Sequence, residues 1–382
     1  MNSLLIVAGE NSGENYGASL VHEFKKIQPS LSFFGIGGKR MAEEGVQILF
    51  STEELAVVGG IEILSELPRI KKIFNRITKE IKSRKPKAAV LIDSPDFNLR
   101  LAKKLKKINI PVLYYISPTV WAWRKGRLKT IKKTVDKMLL IFPFEEAIYR
   151  EKGIEASYVG HPLKERVKIS LSKEEFFKKY ELDSQKKLIT LLPGSRKSEL
   201  KYHLPVLMRA VEQIKKDYKA QFVLVLAESL DKDFVLRSIS PSFEDFKILT
   251  KDGYEAMAFS DVVLSACGTA NLEAALLEAP LISFYRISPL TYFLGVKLVK
   301  IKSYSIVNIL AGKKIIPELI ERRFTARNIF EEVKKIFEEN DLRQEMKANF
   351  KRLKALLGEE RASQNAAREL EKLIQSKTQG DT

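Results

Sequence analysis

The strongest constraint on this chain is a local pattern that recurs along most of its length: a short apolar run, a tight turn, then a helical stretch. Ser3–Ala8 runs into Gly9-Glu10-Asn11-Ser12-Gly13 and a helical pattern over Tyr16–Lys26. Ser32–Ile36 leads into Gly37-Gly38, Ala88–Ile92 into Asp93-Ser94-Pro95-Asp96, Val112–Ile116 into Ser117-Pro118, and Lys137–Phe142 into Pro143. Helical patterns over Arg69–Arg84 and Leu99–Lys107 lie between them. Continuous apolar runs of this length are what strands buried on both faces require, and short turns into helices make the sheet parallel and doubly wound. The alternation pauses over a polar segment, Lys164–Lys187, which reads as a linker with one short helix. It then restarts with Leu188–Leu192, Phe222–Leu226, Val262–Ala266 and Leu281–Tyr285, and from Thr325 the sequence is helical and charged. The expectation is two Rossmann-like α/β domains, 1–164 and 165–340, facing a cleft, with a helical C-terminal tail over 341–382.

Three turns carry residues suited to chemistry. In Ser265–Ala275 a strand ends, Gly268-Thr269 turns, and an alanine-rich helix follows, so backbone N–H groups and the helix dipole would face an anion. Glu273 lies one helical turn on, in reach of ribose hydroxyls beside a diphosphate. The same residues also fit an ordinary strand–turn–helix with Thr269 as N-cap. In Leu192-Pro193-Gly194-Ser195-Arg196, Gly194 permits close backbone approach and Arg196 brings a fixed charge shaped for phosphate oxygens. Two such turns at one sheet edge favour a nucleoside-diphosphate site. In Asp93-Ser94-Pro95-Asp96, Asp93 stands at the end of an apolar strand as a candidate general base, while Asp96 suits helix capping. The Gly9–Gly13 loop lacks both G-x-G-x-x-G and a P-loop lysine. Trp121 and Trp123 fit either a sugar or acyl site or a packed corner, and His161 a structural, hydrogen-bonded role.

Composition enters through charge. The formal net charge is +18. Arg69–Lys137 holds 21 Lys/Arg and four acids, an excess of +17, so the remainder is nearly neutral. Beside this block, Val57, Val58, Ile61, Ile63, Leu64, Leu67 and Ile70 form an apolar ridge followed by Lys71, Lys72, Arg76, Lys79 and Lys82. That combination suits an anionic membrane surface, although a helix docked on the sheet would show a similar stripe. No apolar run reaches the roughly 18 residues of a membrane span. One cysteine and three scattered histidines argue against a disulfide framework and a metal cluster.

Read together and in order, GENSGENYGA (Gly9–Ala18), EELAVVGGIEIL (Glu53–Leu64), DSPDFN (Asp93–Asn98), ISPTVWAWR (Ile116–Arg124), FPFE (Phe142–Glu145), VGHPL (Val159–Leu163), LLPGSR (Leu191–Arg196) and CGTANLEA (Cys267–Ala274) closely resemble the lipid A disaccharide synthases, bacterial glycosyltransferases. The resemblance runs from Gly9 to at least Gly312, with Asn11 and Glu14 as mild departures from the family pattern.

It implies a GT-B fold and inverting, metal-independent, cofactor-free transfer of 2,3-diacylglucosamine from UDP-2,3-diacylglucosamine to 2,3-diacylglucosamine 1-phosphate. The products would be a β-1,6-linked disaccharide 1-phosphate and UDP. By the resemblance Asp93 matches the base, Ser12 an active-site residue and Arg196 the arginine beside the diphosphate. Gly194, Ser195, Gly268, Thr269, Glu273 and Asn308 fall to the donor side. Ile61, Ile63, Leu64, Leu67, Ile70, Lys71, Lys72 and Arg76 would form the acceptor and membrane rim, at the cytoplasmic face of the inner membrane. A homodimer through exchanged C-terminal segments is compatible with it. Alternatives are another UDP-sugar enzyme (a peptidoglycan N-acetylglucosaminyltransferase or a UDP-sugar epimerase) and a basic nucleic-acid-binding protein. The last leaves the two anion turns unexplained, and no RRM, KH or zinc-finger signature supports it.

Overall fold

The computed structural model describes residues 2–55, 63–121, 126–227, 246–287, 303–359 and 361–378, together with Leu230 and Val235. The chain divides into two units, one of Met1–Glu165 with Leu357–Thr382 and one of Arg166–Leu356.

The first unit is built on a seven-stranded parallel sheet: β1 (Ser3–Ala8), β2 (Ser32–Gly37), β3 (Val46–Ser51), β4 (Ala89–Ile92), β5 (Val112–Tyr115), β6 (Lys137–Leu140) and β7 (Ala156–Tyr158). The spatial order is β3-β2-β1-β4-β5-β6-β7. Every residue of β1, β4 and β5 is buried, as their unbroken apolar runs require. Alternate strand residues face opposite layers. Leu5, Val7, Leu91 and Tyr114 share one core with Ile73, Ile77 and Ile81 of the Ile63–Arg84 helix, Leu101 and Leu105 of Pro95–Lys106, and Leu128 and Ile131 of Arg127–Thr134. These three helices carry most of the basic block, and Lys71, Lys72, Arg76, Arg100, Lys103, Lys104, Lys129, Lys132 and Lys133 are exposed. The local +17 therefore sits largely on one helical layer. The helix expected from Arg69 begins earlier, at Ile63. Phe24 of the Asn11–Ile27 helix meets Phe33 edge-on at 5.7 Å, so this helix covers the other face. Helix Ala362–Thr378 packs beside it with Ala366, Ala367 and Leu370 buried.

The second unit has six parallel strands: β8 (Lys187–Leu192), β9 (Ala220–Val225), β10 (Lys247–Leu249), β11 (Val262–Ala266), β12 (Leu281–Tyr285) and β13 (Glu318–Ile320). Their order is β10-β9-β8-β11-β12-β13. Helix Asn340–Leu356 belongs here, with Met346, Phe350 and Leu353 buried, so the unit runs past residue 340 to Leu356. The polar 166–187 stretch is docked rather than loose. Phe176 and Phe177 join Leu188, Val223, Leu249 and Ala256 in a core cluster. Ser172 and Glu175 close a capping box on the helix Lys173–Lys179.

In each sheet the winding direction reverses between two neighbouring strands, β1 and β4 in the first and β8 and β11 in the second. Open α/β sheets bind ligands at the carboxyl ends of the strands that flank such a reversal. The loops leaving these four strands are Gly9–Glu10, Asp93–Ser94, Pro193–Arg196 and Cys267–Gly268.

Candidate active site

In the first unit, the exits of β1 and β4 touch. A Cβ built on Gly9 would lie 1.8 Å from the Ser94 hydroxyl oxygen, so only glycine allows this approach. Asp93 and Ser94 both adopt the left-handed region, with φ of 47° and 42°, a conformation non-glycine residues hold only under constraint. The constraint is visible. The Asp93 N–H donates to the Tyr115 carbonyl at 3.0 Å. The Asp93 carbonyl accepts from the buried Tyr114 hydroxyl at 2.5 Å and from Asn98 Nδ2 at 2.9 Å. Asn98 Nδ2 also donates to the Ile92 carbonyl at 3.0 Å.

The Asp93 carboxyl is half-buried, and its pKa is pushed up from 3.8 to about 6. Burial is the main cause and the nearby Glu10 charge adds to it, against the opposing effects of the Ser94 backbone and Arg127. An acid with this value is ionised at neutral pH yet remains basic enough to take a proton. Ser12 is half-buried in the first turn of Asn11–Ile27. Asp96 is not the cap of the following helix. Ser94 holds the N-cap position, and Asp96 pairs with Arg127 at 2.7 Å.

Beside this site, after β5, the Ser117 hydroxyl and Tyr149 hydroxyl lie 2.6 Å apart. Glu145 is 1% exposed, and burial raises its pKa to about 8. Trp121 packs edge-on against Phe144 at 5.6 Å, and Trp123 lies outside the described residues. His161 accepts the Leu163 N–H at Nδ1, 3.2 Å, and burial lowers its pKa to about 3, so it stays neutral.

In the second unit, the Gly268 position opens to space: a methyl group added there would have nothing within 4 Å. Gly268 is itself the N-cap of Thr269–Leu276, without a side-chain cap, and Thr269 is the first helical residue. Glu273, one turn along, is half-buried; its carboxylate accepts from Tyr254 Oη at 3.2 Å. Burial raises its pKa, with the Arg166 charge opposing.

The Pro193–Arg196 turn differs from expectation. Gly194 has φ of 127°, and a Cβ there would lie 2.5 Å from Glu199 Oε2. That oxygen already accepts the Ser195 N–H at 2.9 Å and the Arg196 N–H at 3.3 Å. Two of the turn's backbone donors, those of Ser195 and Arg196, therefore serve Glu199. What the turn presents is the Arg196 side chain, 55% exposed, with one guanidinium nitrogen 3.6 Å from Glu199 Oε1. Asn308 also departs from its expected place among donor-binding groups. It is buried, Nδ2 donates to the Ile316 carbonyl and Glu318 Oε1, and Oδ1 accepts the N–H groups of Ile315 and Ile316. All four bonds an amide makes are occupied, so it braces its loop.

Of the proposed rim, Ile61 lies outside the described residues, as do the side chains of Ile63 and Leu64. Leu67 is 46% exposed, Ile70 is half-buried against the core, and Lys71, Lys72 and Arg76 are exposed along one helix face. Among the described residues no helix is long and apolar enough to cross a membrane, and no cluster of three or more His, Cys, Asp or Glu is placed to hold a metal ion.

Known proteins share both the sequence and the fold. A lipid-A-disaccharide synthase of Syntrophus aciditrophicus (strain SB) is 41% identical over 374 residues, covering 96% of this chain and 97% of its own length. One of Solibacter usitatus (strain Ellin6076) is 37% identical, covering 98% of both chains. Among solved structures, the UDP-GlcNAc 2-epimerase of Neisseria meningitidis bound to UDP-GlcNAc superposes with a TM-score of 0.69 over 97% of this chain and 100% of that one. At 13% identity that likeness speaks for the two-domain GT-B fold alone. The family model for lipid-A-disaccharide synthetase matches residues 4–372, which takes in every loop described above, and the chain belongs to that family.

Proposed function

We propose that the chain transfers 2,3-diacylglucosamine from its UDP conjugate to the 6-hydroxyl of 2,3-diacylglucosamine 1-phosphate, with inversion, as a lipid A disaccharide synthase. The observation that carries the mechanism is Asp93: a desolvated carboxylate held rigidly at the β1/β4 reversal, with a pKa near 6. It takes the acceptor hydroxyl proton as the oxygen attacks the donor's anomeric carbon, while Ser12 in the first turn of the adjoining helix helps seat the acceptor. Bond breaking leaves charge on the UDP diphosphate. Arg196 and the uncapped start of Thr269–Leu276 supply positive potential there, so the leaving group needs no metal ion. Glu273 faces the ribose. The exposed basic layer, with Leu67 beside Lys71, Lys72 and Arg76, suits an acceptor unit seated on an anionic bilayer surface, the cytoplasmic face of the inner membrane.

The test is to supply both acylated substrates in detergent micelles and determine the linkage formed by NMR. A β-1,6 disaccharide phosphate is expected. An α-linked product, or hydrolysis of the donor alone, would contradict the reading.

A further inference from the structure

The helix Lys197–Asp217 carries Glu199 and His203 four residues apart, hence one above the other on one face. Both reach the Pro193–Arg196 turn and both reach the end of β12. Glu199 Oε2 accepts the Ser195 and Arg196 N–H groups, and its Oε1 accepts the Tyr285 hydroxyl at 3.2 Å. His203 is wholly buried. Its Nδ1 lies 2.6 Å from the Pro193 carbonyl, and its Nε2 lies 3.0 Å from both the backbone nitrogen and the carbonyl oxygen of Arg286.

A carbonyl only accepts, and the shorter contact is the one to Pro193, so Nδ1 carries the proton. The neutral ring then accepts the Arg286 N–H at Nε2, and burial lowers its pKa in favour of that form. The ring is walled by Phe284, Tyr285 and Phe324 at centroid distances of 5.2, 5.5 and 5.6 Å. Arg286 is itself anchored, its guanidinium donating to the carbonyls of Glu321 and Phe324 at 2.9 and 2.5 Å. The turn after β8 is thus tied to the exit of β12, across the intervening strand β11.

We propose that Glu199 and His203 are positioning residues of the donor site: together they fasten the Pro193–Arg196 turn to Tyr285 and Arg286, so that the turn meets the donor diphosphate through the Arg196 guanidinium rather than through the Ser195 and Arg196 N–H groups. This rests on the donor role proposed for Arg196. An arginine aimed at a diphosphate contributes most when its backbone is fixed before the ligand arrives. Glu199 fixes the N–H side of the turn and His203 its carbonyl side. Neither touches the donor.

The experiment compares wild type with E199A, E199Q, H203L and H203N, reading UDP affinity by calorimetry, donor KM, kcat and melting temperature. Gln keeps a carbonyl for the Ser195 and Arg196 N–H groups, and Asn keeps a donor for the Pro193 carbonyl. E199A and H203L are expected to weaken UDP binding and raise donor KM by about tenfold, the worth of roughly one charge-assisted hydrogen bond, with kcat within about threefold. E199Q and H203N should recover most of that loss. UDP affinity and donor KM at wild-type values in the Ala and Leu variants, with only melting lowered, would overturn the proposal and leave the pair as helix-packing groups. Should E199A or H203L fail to fold, the Gln and Asn variants decide, and tighter UDP binding in E199Q would overturn it by showing Glu199 as a competitor of the diphosphate. A wild-type chain with no UDP affinity would instead remove the donor assignment and the clamp with it.

Discussion

The Tyr114 hydroxyl donates a 2.5 Å hydrogen bond to the Asp93 carbonyl, at a residue whose φ is 47°. Tyr114 is wholly buried in β5, and burial first, then the Asp93 charge, holds its pKa well above the ordinary phenol value. The phenol is therefore a permanent donor. It holds the left-handed exit of β4 in place, and with it the direction of the Asp93 carboxyl.

Tyr114→Phe removes that donor and leaves the carbonyl with Asn98 alone. The expected cost is about 1–3 kcal/mol in denaturant unfolding, from a buried polar group that loses a partner. Because the loop rather than the donor site is disturbed, kcat should fall with donor KM unchanged. Wild-type kcat in this variant would show that Asn98 suffices.

With Asp93 as the proposed base, the reaction should show a defined acid limb. The folded-state pKa of about 6 lies above the ordinary 3.8, so the native state keeps the proton over a range where the unfolded chain loses it. Stability from this group is present below pH 3.8 and is lost as pH rises through about 6, where the carboxyl ionises. The kcat/KM profile is expected to fall below an apparent pKa near 6. A profile flat down to about pH 4.5 would assign the base elsewhere.

Glu145 shifts in the same direction, with burial again the main cause. With a native pKa of about 8 against 4.5, its stabilising effect is complete below pH 4.5 and lost as pH rises through about 8. Glu145→Gln mimics the protonated acid. Its melting temperature should exceed that of wild type by roughly 5 °C at about pH 8.5 and match it near pH 4.5. A variant less stable than wild type under the alkaline condition would mean that the carboxylate is the native form.

The basic layer predicts salt-sensitive binding to anionic vesicles. Charge reversal at Lys71, Lys72 and Arg76, all exposed, should weaken association by roughly 1 kcal/mol per residue at low salt and leave folding intact. Equal binding by the reversed protein would contradict the membrane role proposed for this layer.

Much of this is legible in the sequence, and the omissions share a physical cause. The central strands announce themselves because burial on both faces demands unbroken apolar runs, as in SLLIVA and VVLSA. The strands that the apolar pattern leaves unmarked, β3, β7, β10 and β13, are the edges of the two sheets, where solvent on one side lets polar residues in and shortens the run. The Asp93 loop is readable from its position after β4, but Tyr114 and Asn98 are not, because a side chain that braces a neighbouring backbone has no periodic signature. Glu199 and His203 do leave a trace, an i, i+4 pair just after PGSR. It is hidden by the expectation that a glycine turn offers its N–H groups to a ligand. The two phenylalanines of the 173–179 helix are masked by five charged neighbours, although Ser172 and Glu175 spell its capping box.

We propose, in short, that this chain joins two acylated glucosamines with Asp93 as the base. The most direct test of that proposal is one assay on wild type and Asp93→Ala, given UDP-2,3-diacylglucosamine and 2,3-diacylglucosamine 1-phosphate in micelles, with disaccharide, UDP and UDP affinity all measured. Wild type should release UDP and disaccharide in equal amounts, and Asp93→Ala should lose about 10²–10⁴-fold in turnover while its UDP affinity stays within about threefold. Folded wild type that makes no disaccharide, or an Asp93→Ala protein that turns over normally, would contradict it.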